Sequence, residues 1–172
     1  MKKILIIIIS SFLFVNILNA EETKINLLSE SGIIMESTTG KVLFEKDADT
    51  PRPPASMTKI MTMLLITEEI EKGNISLKDV VTISERAANM GGSQIYLEKG
   101  STSTVEELLT TIAVGSANDS AVAMAEKIGG TVENFVSMMN KRAKELGATN
   151  TTFKNPHGLD EEGHLTTARD MA

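Results

Sequence analysis

The run Arg52-Pro53-Pro54-Ala55-Ser56-Met57-Thr58-Lys59, followed by apolar residues from Ile60 to Ile66, constrains this chain more than any other stretch. Two prolines keep the backbone out of a helix until Ala55, so a helix opens at about Ser56. Ile60, Met61, Met63, Leu64, Leu65 and Ile66 fall on nearly every side of it, which predicts a buried central helix and not one with a single apolar stripe. Ser56 then stands where a core helix reaches the surface. Residues three apart share a helix face, so the Lys59 amine comes within reach of the Ser56 hydroxyl. A serine becomes a nucleophile when a neighbour removes its proton, and a lysine can do so when desolvation holds it neutral. The helix start offers apolar surroundings and a positive dipole end that favours a developing alkoxide.

With 14 serines and 13 lysines in 172 residues, about one Ser-x-x-Lys tetrad is expected by chance, so its place carries the reading and not its mere presence. The chain has no cysteine, which removes disulfides, thiolate chemistry and cysteine-held metals. Its net charge of −6 argues against nucleic acid as a partner, and its length suits one domain. Residues 1–20 read as a secretory signal: Lys2 and Lys3, an apolar stretch from Ile4 to Leu18, then Ala20 before two glutamates. At 15 residues that stretch is shorter than the roughly 20 of a comfortable membrane span, so export with cleavage after Ala20 is the expectation and an uncleaved anchor the alternative. Removing the leader leaves 15 basic against 23 acidic residues, a net charge of −8.

Further along, residues 32–46 predict a hairpin whose tight turn uses Gly40 at positive φ, and Val80 to Ile83 predict one more short strand. Residues 84–102 look irregular. Ser103-Thr104-Val105-Glu106 reads as a capping box opening a helix through Ala113, with a second helix over Ser120–Ile128 and a third over Thr131–Leu146. A last helix begins near Thr166 and lacks a stop signal before Ala172, so the chain is expected to break off inside an element.

The second candidate site is Ser116-Ala117-Asn118, on a short break between two helices where side chains can be aimed into a cleft. Its plain alternative is a helix cap, with Ser116 or Asn118 satisfying free amides. His157 and His164, with Asp160, Glu161 and Glu162 between them, match no common zinc spacing, and no Gly-x-Ser-x-Gly elbow supports a Ser-His-Asp triad. The ten methionines read as core filler.

Taken in order, Pro53 to Thr62, Ser116 to Glu126 and Asn155-Pro156-His157-Gly158-Leu159-Asp160 resemble the serine-type D-alanyl-D-alanine carboxypeptidases, the low-molecular-weight penicillin-binding proteins. The resemblance extends over about residues 25–172. It implies an α+β, β-lactamase/DD-peptidase-like fold, with the N-terminal hairpin in an antiparallel sheet beside a helical subdomain. It also implies that Ser56 is the nucleophile and Lys59 its base. Ser116 would relay a proton to the leaving D-alanine, Asn118 would bind the substrate amide or Lys59, and the Ser56 N–H would face the oxyanion. The partners it implies are a peptidoglycan pentapeptide ending in D-Ala-D-Ala and β-lactam inhibitors, with no cofactor. The family's third motif, Lys-Thr-Gly, occurs nowhere in these residues. Residues 21–172 are therefore expected to be the N-terminal part of a longer domain whose remaining sheet strands are missing. Losing one oxyanion donor alone costs about 100- to 1000-fold in rate, so the stretch by itself is expected to be inactive. A hairpin without neighbours would also carry aggregation-prone edges. The family's C-terminal β-rich domain and membrane-surface anchor would lie beyond residue 172. Two other readings stay open: a β-lactamase, although Ala117 stands where class A enzymes of that kind carry aspartate, and a non-catalytic peptidoglycan-binding remnant.

Overall fold

The computed structural model describes residues 26–172, so the leader read over residues 1–20 lies outside the described residues. The hairpin forms as expected from β1 (Gly32–Met35) and β2 (Val42–Lys46), antiparallel with Ile33 opposite Glu45 and Ile34 opposite Phe44. Gly40 turns the chain at φ 71°, and its N–H donates to the Glu36 carbonyl. The Glu36 carboxylate also accepts from the Thr39 hydroxyl and from the Thr39 and Thr38 N–H groups, bonds that hold its pKa down to about 2.

After the prolines, a 3-10 turn over Ala55–Met57 leads into α1 (Thr58–Glu71). The expectation that this helix is enclosed on every side is corrected: it buries Thr58, Lys59, Met61, Thr62, Leu65 and Ile66, while Ile60 is 53% exposed and Met63 and Leu64 are half-buried. The enclosed helix is α4 (Asn118–Gly129), in which every residue from Asn118 to Ala125 is buried. Three alanines, Ala121, Ala123 and Ala125, let its neighbours approach closely from several directions, which bulkier apolar residues would prevent. Around it pack α3 (Val105–Gly115), α5 (Val132–Glu145), the short α2 (Glu85–Ala88) and α1. Phe135, Met139, Leu108, Val105 and Ile66 fill the space between them, all buried.

Two boundaries shift from the sequence reading. The capping box opening α3 lies one residue later, between Thr104 and Glu107, because Thr104 takes the extended conformation a cap needs. Residues 84–102, expected to be irregular, contain α2, capped by Ser84, and reach β4 (Thr102–Thr104). That strand pairs with β3 (Val80–Thr82) in a second two-stranded antiparallel sheet.

The last element, α6 (Ala168–Met171), is capped by Thr167. Arg169 fastens it to the N-terminal region through Asp49 and Glu45, each at 2.7 Å. Just before it, Thr166 and Arg52 exchange backbone hydrogen bonds of 2.7 and 2.9 Å. This pairing fixes the chain four residues ahead of Ser56.

Candidate active site

Ser56 is exposed and lies in the 3-10 turn, entered through an unusual backbone: Ala55 has φ 48°, left-handed for a residue with a side chain. Strain of this kind persists where the surroundings over-determine it. Here Gly158 provides the constraint. It has φ 93°, and a Cβ placed on it would lie 1.9 Å from the Ala55 carbonyl oxygen and 3.0 Å from Thr58 Oγ1. Only glycine lets the 155–159 turn press so closely against the serine-bearing turn. Asn155 shapes that turn, its Oδ1 accepting from Gly158 N–H at 2.7 Å and from His157 N–H at 3.3 Å.

One turn into the helix, Lys59 is 3% exposed. Its amine lies 2.7 Å from Asn118 Oδ1, 2.6 Å from the His157 carbonyl oxygen and 3.5 Å from Ser56 Oγ. No carboxylate is among these partners. Burial lowers the Lys59 pKa to about 8, because desolvation penalises the ammonium and no anion offsets it. A neutral amine has two hydrogens and one lone pair. The two short contacts are to acceptors and take the hydrogens, so the lone pair is left for the third direction, toward the serine hydroxyl. The 3.5 Å separation is long for a hydrogen bond.

Asn118 is held as firmly as it holds Lys59. Its side-chain N–H donates to the Gly91 carbonyl at 2.7 Å and its backbone N–H to the Ser93 carbonyl at 2.7 Å. Gly92 allows this approach, since a Cβ there would meet Asn118 Nδ2 at 2.8 Å. The next residue, Asp119, is fully buried and accepts from the Ile95, Leu97 and Ser120 N–H groups at 3.1, 3.1 and 2.9 Å. Together these bonds lay the 91–97 segment along the start of α4.

The helix-cap alternative for Ser116 and Asn118 does not describe what these side chains do. The N-terminus of α4 has no side-chain cap, and Asn118 spends its amide on Lys59 and Gly91. Ser116 closes α3 in the left-handed conformation, φ 53° and ψ 35°. Its Oγ is buried and has no hydrogen-bond partner among the described residues. A buried hydroxyl without a partner loses about 1–3 kcal/mol of solvation, so it marks a place where a further polar group is wanted.

Of the four residues singled out in the sequence, the structure thus joins Ser56, Lys59 and Asn118 directly, and places Ser116 two residues from Asn118 with its hydroxyl unengaged. The sequence reading missed the His157 carbonyl, the Gly91–Ser93 backbone and Asp119. Backbone acceptors leave no side-chain signal, although Asn155-Pro156-His157-Gly158 was among the blocks that carried the resemblance. Burial lowers the His157 imidazole pKa to about 4, aided by the nearby Lys59 charge, and His157 Nδ1 accepts from Leu159 N–H at 3.2 Å.

A serine on a tight turn, a buried lysine amine one helical turn on, and an asparagine from a second helix thus come together at one place. The chain belongs to the D-alanyl-D-alanine carboxypeptidase family, whose profile matches residues 18–172. It is 58% identical over 144 residues to D-alanyl-D-alanine carboxypeptidase DacF of Bacillus subtilis, covering 84% of this chain and 37% of that one. It is 41% identical over 146 residues to DacC of Escherichia coli, covering 81% of this chain and 36% of the relative. Among solved structures, D-alanyl-D-alanine carboxypeptidase DacD from Francisella tularensis superposes with a TM-score of 0.84 at 44% identity, over 86% of this chain and 36% of that one. Penicillin-binding protein 5 from Haemophilus influenzae does so with a TM-score of 0.84 at 36% identity, over 87% of this chain and 44% of that one. The α+β, DD-peptidase-like fold is that of these neighbours, and the chain spans well under half the length of each of these four.

Proposed function

We propose that the protein removes the terminal D-alanine from peptidoglycan stem peptides through an acyl-serine intermediate, and that Ser56, Lys59, Ser116 and Asn118 carry the acylation. The observation that supports this most is the Lys59 amine, its pKa lowered by burial to about 8, fixed by Asn118 and the His157 carbonyl and facing Ser56 Oγ, so that its neutral form can turn its lone pair to the serine. Lys59 takes the Ser56 proton as Oγ attacks the carbonyl of the penultimate D-alanine. Negative charge gathers on that carbonyl oxygen, where the Ser56 N–H at the start of the turn is a donor. Collapse of the tetrahedral intermediate breaks the peptide bond, and the departing amine takes a proton relayed by Ser116. The unpartnered Ser116 hydroxyl suits such a relay, since it has no other bond to give up. Water then hydrolyses the acyl-enzyme and regenerates Ser56. Asn118 offers its amide to the substrate's backbone while keeping Lys59 in place.

A β-lactam presents a strained amide whose leaving nitrogen stays tethered after ring opening, so acylation by it leaves a long-lived adduct on Ser56. Export by the leader at residues 1–20 would bring the site to peptidoglycan at the outer face of the membrane. The decisive experiment is labelling of the full-length protein with a fluorescent penicillin beside a Ser56→Ala variant. Stable label on Ser56 that disappears in the variant is the expected result. Rapid loss of label points to a β-lactamase, and no label points to a binding remnant; either outcome overturns the proposal.

A further inference from the structure

The serine-bearing turn is tethered to residues 155–164 by three side chains of α1 in succession. Lys59 donates to the His157 carbonyl, Thr62 donates to the Pro156 carbonyl at 2.7 Å, and Thr58 meets His164 Nε2 at 2.8 Å. The first belongs to the acylation chemistry. The last joins two fully enclosed side chains, with Thr58 0% and His164 3% exposed, and the acylation scheme uses neither of them.

The protonation of this pair follows from the other face of the ring. Lys154 N–H donates to His164 Nδ1 at 3.1 Å, so Nδ1 carries a lone pair and the ring hydrogen sits on Nε2, pointing at Thr58 Oγ1. Charging the ring would put a second hydrogen on Nδ1, directly against the Lys154 N–H. Burial depresses the His164 pKa as well, because desolvation penalises the charged ring, in spite of Glu161 and Asp160 nearby, which favour the charged form; Lys154 opposes it. His157, the other titratable ring of this loop, is itself held neutral at pH 7 by burial. The Phe153 ring meets His164 edge-on with centroids 5.9 Å apart, and the His164 N–H bonds the Glu161 carbonyl at 2.9 Å. Thr152 and Leu165 exchange two backbone bonds beside it. The imidazole is therefore a rigid strut with one free action: to hold Thr58, the residue between Ser56 and Lys59 that opens α1.

We propose that His164 is a positioning residue of the acylation site, its Nε2–H bond to Thr58 Oγ1 setting the height and rotation of the turn that carries Ser56 against Lys59. This rests on the acyl-serine reading, since it assigns a role within that reaction. The role is to keep the amine and hydroxyl from drifting beyond the 3.5 Å at which they stand, a distance to which proton transfer is steep.

Acylation kinetics with a fluorescent penicillin separate the binding constant from the rate of the covalent step in the full-length protein. For His164→Leu we expect the covalent step to fall about tenfold or more, with the binding constant within about twofold of the parent. His164→Gln, whose amide N–H reaches the Nε2 position, restores most of that rate. Thr58→Val reproduces the defect, and the His164→Leu/Thr58→Val double variant is no slower than either single one. An unchanged covalent rate in His164→Leu, a defect that glutamine does not rescue, or additive losses in the double variant would overturn the proposal. Should the leucine variant fail to fold, nitrogen NMR of the unmodified protein at pH 7 decides instead. A protonated Nε2 with a bare Nδ1 supports the strut, and the opposite tautomer or an imidazolium refutes it. A parent protein that takes no label at all refutes the acyl-serine reading, and the tautomer measurement still judges the His164–Thr58 bond.

Discussion

Replacing Gly158 by alanine tests how tightly the 155–159 turn determines the position of Ser56. Two costs arise. The backbone there has φ 93°, which penalises an L-residue by about 1–2 kcal/mol. The new Cβ would also lie 1.9 Å from the Ala55 carbonyl oxygen and 2.5 Å from its carbon, contacts with backbone that has no rotamer to escape into. Reaching ordinary contact takes a displacement of about 1.5 Å or more, and such overpacking costs about 1–3 kcal/mol. The expected total is a loss of about 2–5 kcal/mol in urea denaturation. Gly147 provides the control, with φ 88° and nothing within 4 Å of its notional Cβ, so Gly147→Ala should carry only the backbone penalty of about 1–2 kcal/mol. The excess in Gly158→Ala over the control measures the clash. In the folded fraction, a shift of about 1 Å or more at Ala55 should slow Ser56 acylation by about 100-fold or more, while Gly147→Ala, whose notional Cβ meets nothing, should leave it intact. Equal destabilisation of the two variants, or normal acylation in Gly158→Ala, would refute the idea that this glycine sets the serine turn.

In the proposed acylation Lys59 accepts the serine proton as a neutral amine, so penicillin acylation should fall about tenfold per pH unit below a midpoint near 8; a rate flat from pH 6 to 8 would exclude Lys59 as the base. The same depressed pKa makes the folded state bind fewer protons than the unfolded one between about 8 and 10.5, so the stability linked to Lys59 rises with pH across that window and is lowest below it. The slope should be missing in Lys59→Met, as read by denaturation at several pH values. Asp119→Ala strands three backbone N–H groups, at residues 95, 97 and 120, and should cost about 3 kcal/mol in urea denaturation, with faster amide exchange over 91–97. Ser116→Gly relieves a left-handed side-chain-bearing residue and a buried hydroxyl without a partner, so it should raise stability by about 1 kcal/mol or more while slowing turnover of a D-Ala-D-Ala peptide; a destabilised variant would refute the strain reading.

How much of this was legible in the chain depends on how locally each feature is determined. Ser56 and Lys59 lie three apart, and the prolines before them fix where the helix starts, so their meeting follows from helix geometry alone. Asn118 meets Lys59 across 59 residues of sequence, a contact that no periodicity encodes; only the resemblance of three motif blocks pointed to it. The misjudged core has a similar cause. Large apolar side chains make α1 look enclosed, yet enclosure is decided by how many elements can approach, and the alanines of α4 permit more of them. The His157 carbonyl is an acceptor any residue could provide, so its place against the Lys59 amine depends on the loop's path and not on the imidazole. That separation makes a distinction between the two histidines. At position 157 the backbone bonds Lys59, and replacing the ring should matter less than moving the chain. At position 164 the ring itself bonds Thr58, and there the identity of the side chain is what the serine turn depends on.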